Sequence, residues 1–180
     1  ARPSAAERAE LEAFYDRVTA QVVGLPQGFV HRDFQSRNLM VQGDRLRLID
    51  FQDALLGPYL YDLVALLRDS YVAFVPEEVE EVGRHYLAAR SARGLWTPGF
   101  DELMHGFHLQ ALQRKLKDAG RFVYIDRVRG NPKFLPDWNT AISPTGYKDL
   151  NNWGLGSGVF PHAGINFQSV LMREIPYSLR

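Results

Sequence analysis

Apolar positions in the first part of the chain recur at the spacing of a helix. They are Leu11, Phe14, Tyr15, Val18 and Val22. Ser4 precedes them as a residue that favours helix starts, and Gly24 and Pro26 follow them as residues that end helices. The pattern predicts one amphipathic helix from about Ser4 to Val23.

Two short segments with the composition of strands follow, over residues 39–42 and 45–49. Gly43 and Asp44 lie between them. A two-residue Gly-Asp loop favours a β-hairpin, because glycine accepts the positive φ that such turns require. We therefore predict a small antiparallel hairpin after the first helix.

The rest of the patterned sequence is helical. Residues 59–74 are apolar nearly all round, which predicts a buried helix. Pro76, followed by several acidic residues, predicts the start of another helix. A third long helix is predicted over 100–119, ending at Gly120, with helical character resuming over 122–128. The predicted fold class is mainly α with a small β-hairpin.

Composition and charge are those of an ordinary soluble globular protein. Hydrophobic residues make up 46% and charged residues 23% of the chain. The 21 Lys and Arg residues balance 21 Asp and Glu residues, so neither nucleic acid nor an anionic membrane is an expected partner. The sequence has no cysteine, and no apolar run approaches the ~20 residues that span a bilayer. We expect a cytoplasmic protein.

Candidate chemistry is concentrated between His31 and Asn38 and just after the predicted hairpin. Asp33 and Asn38 are five positions apart. The catalytic loop of protein kinases has this spacing, with the aspartate facing the substrate hydroxyl and the asparagine holding Mg²⁺. Asp50 follows twelve residues beyond Asn38 and ends the second predicted strand. Each motif alone is common at turns, but the loop, its spacing, a hairpin and a terminal aspartate rarely coincide.

The hairpin register predicts why two of these residues meet. If Gln42 faces Arg45 across the loop, Asn38 lies opposite Ile49 and diagonal to Asp50 on the neighbouring strand. A hard cation that accepts oxygen ligands can then be bound by both side chains. A shift of one residue in the register would remove this arrangement.

Phosphoryl transfer accounts for the roles that we predict. Negative charge spreads over the moving group, so the site needs a divalent metal and a positioned acceptor more than covalent chemistry. Asp50 is predicted to ligate the Mg²⁺ that bridges the phosphates of ATP, and Asn38 to complete its shell. Asp33 is predicted to orient the acceptor hydroxyl and to take its proton late in the transfer.

Other residues near this centre are predicted to have supporting roles. His31 is predicted to be a packed, hydrogen-bonded brace for the loop, without a part in proton transfer. Asp62 is expected to be buried within an apolar helix and to accept hydrogen bonds from the loop backbone. Four polar residues flank the centre and are candidates for substrate contact, although any surface loop carries such residues; they are Gln35, Arg37, Gln52 and Asp53.

At these residues the chain resembles the aminoglycoside phosphotransferase and choline kinase-like family. The matching motifs are His31-Arg32-Asp33, Asn38, Ile49-Asp50-Phe51 and Tyr61-Asp62-Leu63. The longer string from His31 to Asp69, together with 112–117 and 126–128, is similar to one branch of the family. That branch consists of bacterial kinases that phosphorylate the anomeric hydroxyl of N-acetylmuramate and N-acetylglucosamine in cell-wall recycling.

The resemblance implies that residues 1–136 form a kinase-like catalytic lobe. In such a kinase ATP donates a phosphate to the C1 hydroxyl of an amino sugar, with Asp33 as base and Asn38 and Asp50 as metal ligands. Kinases of this kind also carry an amino-terminal nucleotide lobe. Only 32 residues precede Asp33, so a lobe of roughly 50 residues does not fit there. We expect a carboxy-terminal lobe that is inactive by itself.

Other interpretations stay open. Residues 137–180 have no clear period and do not match the family, so no structure is predicted for them. The same chemistry could act on an aminoglycoside, choline or another small alcohol instead of an amino sugar. Alternatively, the chain is an inactive remnant that binds a sugar or a partner protein. A small sugar and a nucleotide are the partners expected for the first interpretation.

Overall fold

The computed structural model describes residues 4–69 and 72–130 of the chain. The helices and strands in these ranges are α1 (Ala5–Val23), β1 (Gln27–Val30), β2 (Leu39–Gln42), β3 (Arg45–Leu48), β4 (Leu55–Pro58), α2 (Tyr61–Leu67), α3 (Pro76–Ser91) and α4 (Phe100–Arg129). A short 3₁₀ turn, Ser36–Asn38, precedes β2. The described part is mainly helical with small antiparallel sheets, as the fold-class prediction requires. It contains no helix that is long and apolar enough to cross a membrane.

Strands β2 and β3 form the predicted hairpin in the predicted register. Gln42 pairs with Arg45, and Gly43 adopts a φ of +63° in the turn between them. The pairing continues one step beyond the strands, because the Ile49 N–H donates to the Asn38 carbonyl at 3.1 Å. Asn38 and Ile49 are therefore opposite each other, as the sequence predicted.

A second two-stranded sheet was not predicted. Strands β1 and β4 pair antiparallel, with Gly28 opposite Gly57 and Val30 opposite Leu55. Gly57 and Pro58 within β4 are residues that disfavour strands, which hid this element in the sequence. Packing is close at position 57, since a Cβ there would lie 3.0 Å from Cγ2 of Val30 and 3.2 Å from Cδ1 of Leu55.

Helices α2, α3 and α4 enclose the core of the unit that runs from Val22 to Ala111. The buried residues of this core are Tyr59, Leu60, Leu63, Val64, Leu67, Val79, Leu103, Phe107 and Ala111. Burial of each large apolar side chain contributes about 1.5–3 kcal/mol. This packing holds α2 in place, and α2 carries Asp62 in its first turn.

Two helices differ in length from the prediction. Helix α2 ends at Leu67 rather than continuing to residue 74, because the backbone of Arg68 leaves the helical region with φ −118° and ψ 29°. Helix α4 runs without interruption through Gly120 to Arg129. A single glycine costs about 1 kcal/mol in a helix, which a 30-residue helix tolerates.

The second unit contains Ala1–Gln21 and Leu112–Arg180, of which residues 4–21 and 112–130 are described. Its buried apolar side chains are Phe14, Val18, Leu112 and Leu116. The buried positions on α1 are among those that gave the helical pattern in the sequence. The predicted boundary at residue 136 and the predicted tail, 137–180, lie outside the described residues.

Candidate active site

Asp62 binds the backbone at the start of the His31–Asn38 loop. Its two carboxylate oxygens accept the His31 N–H at 2.6 Å and the Arg32 N–H at 2.9 Å. Bonds from backbone N–H groups to a carboxylate are shorter and stronger than neutral ones. Asp62 is half-buried rather than fully buried as the sequence suggested. Its contacts nevertheless fix the entry of the loop against α2.

Two residues of this region hold strained backbone conformations. Arg32 has a φ of +74° and Asp50 a φ of +71°, and no other non-glycine residue in the described ranges has a positive φ. The left-handed region costs roughly 1–2 kcal/mol for such residues. Strain of this kind is common at functional sites, where surrounding contacts impose it. At Arg32 the contact that imposes it is the hydrogen bond to Asp62.

A tight turn connects Asp33 to Asn38. The Asp33 carbonyl accepts the Gln35 N–H at 2.9 Å, and the Gln35 carbonyl accepts the Asn38 N–H at 2.9 Å. The side-chain amide of Asn38 then donates from Nδ2 to the same Asp33 carbonyl at 2.8 Å. The five-residue spacing is thus closed into a compact loop with Asn38 directly against Asp33.

Asn38 also approaches Asp50 across the hairpin. Nδ2 of Asn38 lies 3.5 Å from Oδ2 of Asp50, and Nε2 of Gln52 donates to Oδ1 of Asp50 at 2.8 Å. The structure therefore brings Asn38 beside both Asp33 and Asp50. The metal and catalytic roles of these side chains remain predictions.

The residues present fit a magnesium ion that arrives with a nucleotide. The described ranges contain no group of three or more histidine, aspartate or glutamate residues able to hold a metal. Mg²⁺ is usually bound through one or two carboxylates together with substrate phosphates and water. Asp50 is exposed, and a carboxylate has lone pairs beyond the one that Gln52 uses. Because Nδ2 of Asn38 is committed to Asp33, Oδ1 is the atom that Asn38 can offer to a cation.

His31 is packed under the loop. Its side chain is 3% exposed, and its ring meets Phe34 edge-on with centroids 6.3 Å apart. Neither ring nitrogen has a hydrogen-bond partner within the part of the chain that is described. The predicted packing is present, whereas a partner for the predicted hydrogen bond is not found among those residues.

The four residues proposed to flank the substrate occupy different places. Gln52 contacts Asp50, as described above. The Asp53 carbonyl lies 3.4 Å from Nη1 of Arg32. Gln35 forms part of the tight turn through its backbone, and Arg37 lies exposed in the 3₁₀ turn. These positions surround Asp33 and Asp50 but do not by themselves assign a contact with substrate.

Sequence reasoning missed one pair of residues. Asp69 accepts both the Ser36 N–H, at 2.9 Å, and the Ser36 hydroxyl, at 2.6 Å, on one carboxylate oxygen. The available signal was a second aspartate seven positions after Asp62, where Arg68-Asp69 interrupts the apolar run. Because α2 ends at Leu67, helical spacing alone does not place this aspartate against the loop.

Comparison with known proteins agrees with this geometry. A family model described as the phosphotransferase enzyme family matches residues 1–96, a range that includes Asp33, Asn38 and Asp50. The chain belongs to this phosphotransferase enzyme family. The resemblance drawn from the motifs between His31 and Asp62 is thereby confirmed.

Individual relatives carry more specific names. The chain is 40% identical over 123 residues to a protein of Neisseria meningitidis named N-acetylmuramate/N-acetylglucosamine kinase, covering 68% of this chain and 37% of that protein. A Pseudomonas aeruginosa protein of the same name is 33% identical, with 68% and 36% covered. A third, from Pseudomonas putida, is 34% identical, with 62% and 33% covered. The chain thus spans about a third of the length of the curated relatives it matches.

Proposed function

We propose that this chain provides the catalytic lobe, over residues 1–136, of a cytoplasmic kinase that uses ATP and Mg²⁺. Its substrate in this proposal is the C1 hydroxyl of N-acetylmuramate or N-acetylglucosamine. One observation carries the proposal: the side-chain amide of Asn38 lies 2.8 Å from the Asp33 carbonyl and 3.5 Å from the Asp50 carboxylate. Membership of the phosphotransferase family and the names of the relatives support the same conclusion.

The mechanism assigns a separate task to each side chain. Asp50 and Oδ1 of Asn38 would hold Mg²⁺, which when bound would neutralise charge on the nucleotide phosphates. Asp33 orients the sugar hydroxyl and accepts its proton late in the transfer. Asp62 keeps the loop backbone fixed, so that Asp33 does not have to be ordered during each reaction cycle.

A substrate panel followed by ³¹P NMR tests the proposal. N-acetylmuramate, N-acetylglucosamine, an aminoglycoside and choline are each incubated with ATP, Mg²⁺ and the whole kinase of which this chain is proposed to be the catalytic lobe. We expect an anomeric sugar phosphate from the first two compounds. Asp33→Asn is expected to lower turnover about 10²–10⁴-fold, because general acid–base catalysis contributes that much, while the circular dichroism spectrum is retained.

Several outcomes would contradict the proposal. Transfer only to the aminoglycoside or to choline would show that the amino sugar is not the substrate. Unchanged turnover in Asp33→Asn would contradict the assignment of Asp33 as the base. A folded chain without transfer is then titrated with Mg²⁺-ATP by calorimetry. Absence of nucleotide binding in that titration would favour the alternative of a remnant that binds a sugar or a protein without catalysis.

A further inference from the structure

We propose that Asp69 is a positioning residue that sets the place of Asn38 through Ser36. This inference rests on the function proposed above and adds a residue that neither the kinase motifs nor the hairpin register identifies. Asp69 lies two residues beyond the end of α2, and Ser36 begins the 3₁₀ turn that ends at Asn38. The two residues are 33 positions apart in sequence.

The contact supplies the turn with a cap that its own sequence lacks. The first N–H groups of a helical turn have no partner inside the turn and need an outside acceptor. Gln35, the residue at the cap position, makes no side-chain capping bond. Asp69 takes this task with one carboxylate oxygen, which accepts the Ser36 N–H at 2.9 Å and the Ser36 hydroxyl at 2.6 Å.

Together with Asp62, this contact holds the loop at two points. Asp62 binds the backbone just before Asp33, and Asp69 binds the backbone two residues before Asn38. Both carboxylates belong to the segment around α2. The base and the amide ligand of the proposed site thus lie on a loop that is bound at two points, by Asp62 in the first turn of α2 and by Asp69 just after its end.

Weakening the contact between Asp69 and Ser36 should affect the proposed metal site rather than the binding of the sugar. Asn38 follows Ser36 within one turn, and Nδ2 of its amide lies 3.5 Å from Oδ2 of Asp50, so a shift of the turn would also move Oδ1, the atom proposed to bind the ion, relative to Asp50. Asp33 remains held by the Asp62 anchor. A change at Asp69 should therefore raise the Mg²⁺ requirement while leaving the sugar KM nearly unchanged.

The test compares Asp69→Asn with Glu78→Gln in the whole kinase that contains this chain. Glu78 is a matched control, because its carboxylate also accepts a backbone N–H at a helix start, from Val75 at 2.9 Å, but outside the site. Asp69→Asn is expected to speed hydrogen exchange of the Asn38 N–H by about tenfold, the effect of weakening a hydrogen bond to a charged group. The Mg²⁺ concentration for half-maximal transfer should rise by a similar factor, with the sugar KM within about twofold.

A second, milder variant keeps the test decisive if Asp69→Asn does not fold. Ser36→Ala removes the hydroxyl bond but keeps the backbone N–H, so its effects on exchange and on the Mg²⁺ requirement should fall between those of the unchanged chain and Asp69→Asn. Glu78→Gln should leave both measurements as they are.

The results separate this inference from the proposed function. If the whole kinase with the unchanged sequence transfers no phosphate, the proposed function fails, and exchange at Asn38 still decides whether Asp69 orders the turn. Exchange that is the same in Asp69→Asn and in Glu78→Gln would overturn the inference. Faster exchange with an unchanged Mg²⁺ requirement in an active chain would also overturn it, because Asp69 would then be structural only.

Discussion

Replacing Asp62 by asparagine is expected to destabilise the loop that carries Asp33. The Asp62 carboxylate accepts two backbone N–H groups, from His31 and Arg32. An asparagine amide has one acceptor oxygen and one donor nitrogen, so at least one of these N–H groups loses its partner. Each lost hydrogen bond to a charged group costs about 1.5–3 kcal/mol. We expect a total loss of about 2–4 kcal/mol, because relief of the strained φ of Arg32 offsets only part of the lost hydrogen bonding.

Urea denaturation followed by circular dichroism measures this loss. With a slope of about 1–3 kcal/mol per molar urea, Asp62→Asn should lower the midpoint by roughly 1–2 M. Asp53→Asn is the matched control, since it makes the same exchange at an exposed position nearby, and its midpoint should stay within about 0.3 M, an effect typical of surface substitutions. Hydrogen exchange at His31 and Arg32 locates the effect. Equal midpoints for the two variants, with unchanged exchange at both amides, would refute the reasoning.

Two further predictions concern packing and pH. Gly57→Ala should destabilise the protein by about 1–3 kcal/mol through overpacking, because the new Cβ would lie 3.0 Å from Cγ2 of Val30. A thermal midpoint equal to that of Gly99→Ala, where nothing lies within 4 Å of the new Cβ, would contradict the packing argument. Burial raises the pKa of Tyr59 to about 12 from 10, so above pH 10 the unfolded chain binds fewer protons than the folded one and stability should fall toward pH 12. Tyr59→Phe should lessen that fall in unfolding experiments at pH 9 to 12, and an identical pH dependence would count against the assignment.

Much of the site could be predicted because its information is local. Gly43 fixes the turn, the turn fixes the register, and the register brings Asn38 near Asp50. Each step depends on residues within about a dozen positions, for which short-range rules of turn geometry and strand pairing are sufficient. The contact of Asp62 with the loop was also expected, since a carboxylate in an apolar helix needs partners.

The remaining features depend on packing that the local pattern does not contain. The pairing of Asp69 with Ser36 joins residues 33 positions apart and exists only because α2 packs beside the loop. Strand β4 was missed because Gly57 is selected for close contact with Val30 and not for strand propensity. Helix α2 was predicted too long, since an apolar run does not reveal where the backbone turns away.

Binding of Mn²⁺ in the presence of ATP, followed by electron paramagnetic resonance, tests the central claim most directly. The claim is that Asn38 and Asp50 bind one divalent ion beside Asp33. Asp50→Asn should weaken Mn²⁺ binding at least about tenfold, as loss of a charged ligand implies, and Asn38→Ala should weaken it as well. Asp53→Asn, an exposed carboxylate three residues away, should leave it unchanged. Equal Mn²⁺ affinity in all three variants and the unchanged chain would contradict the account.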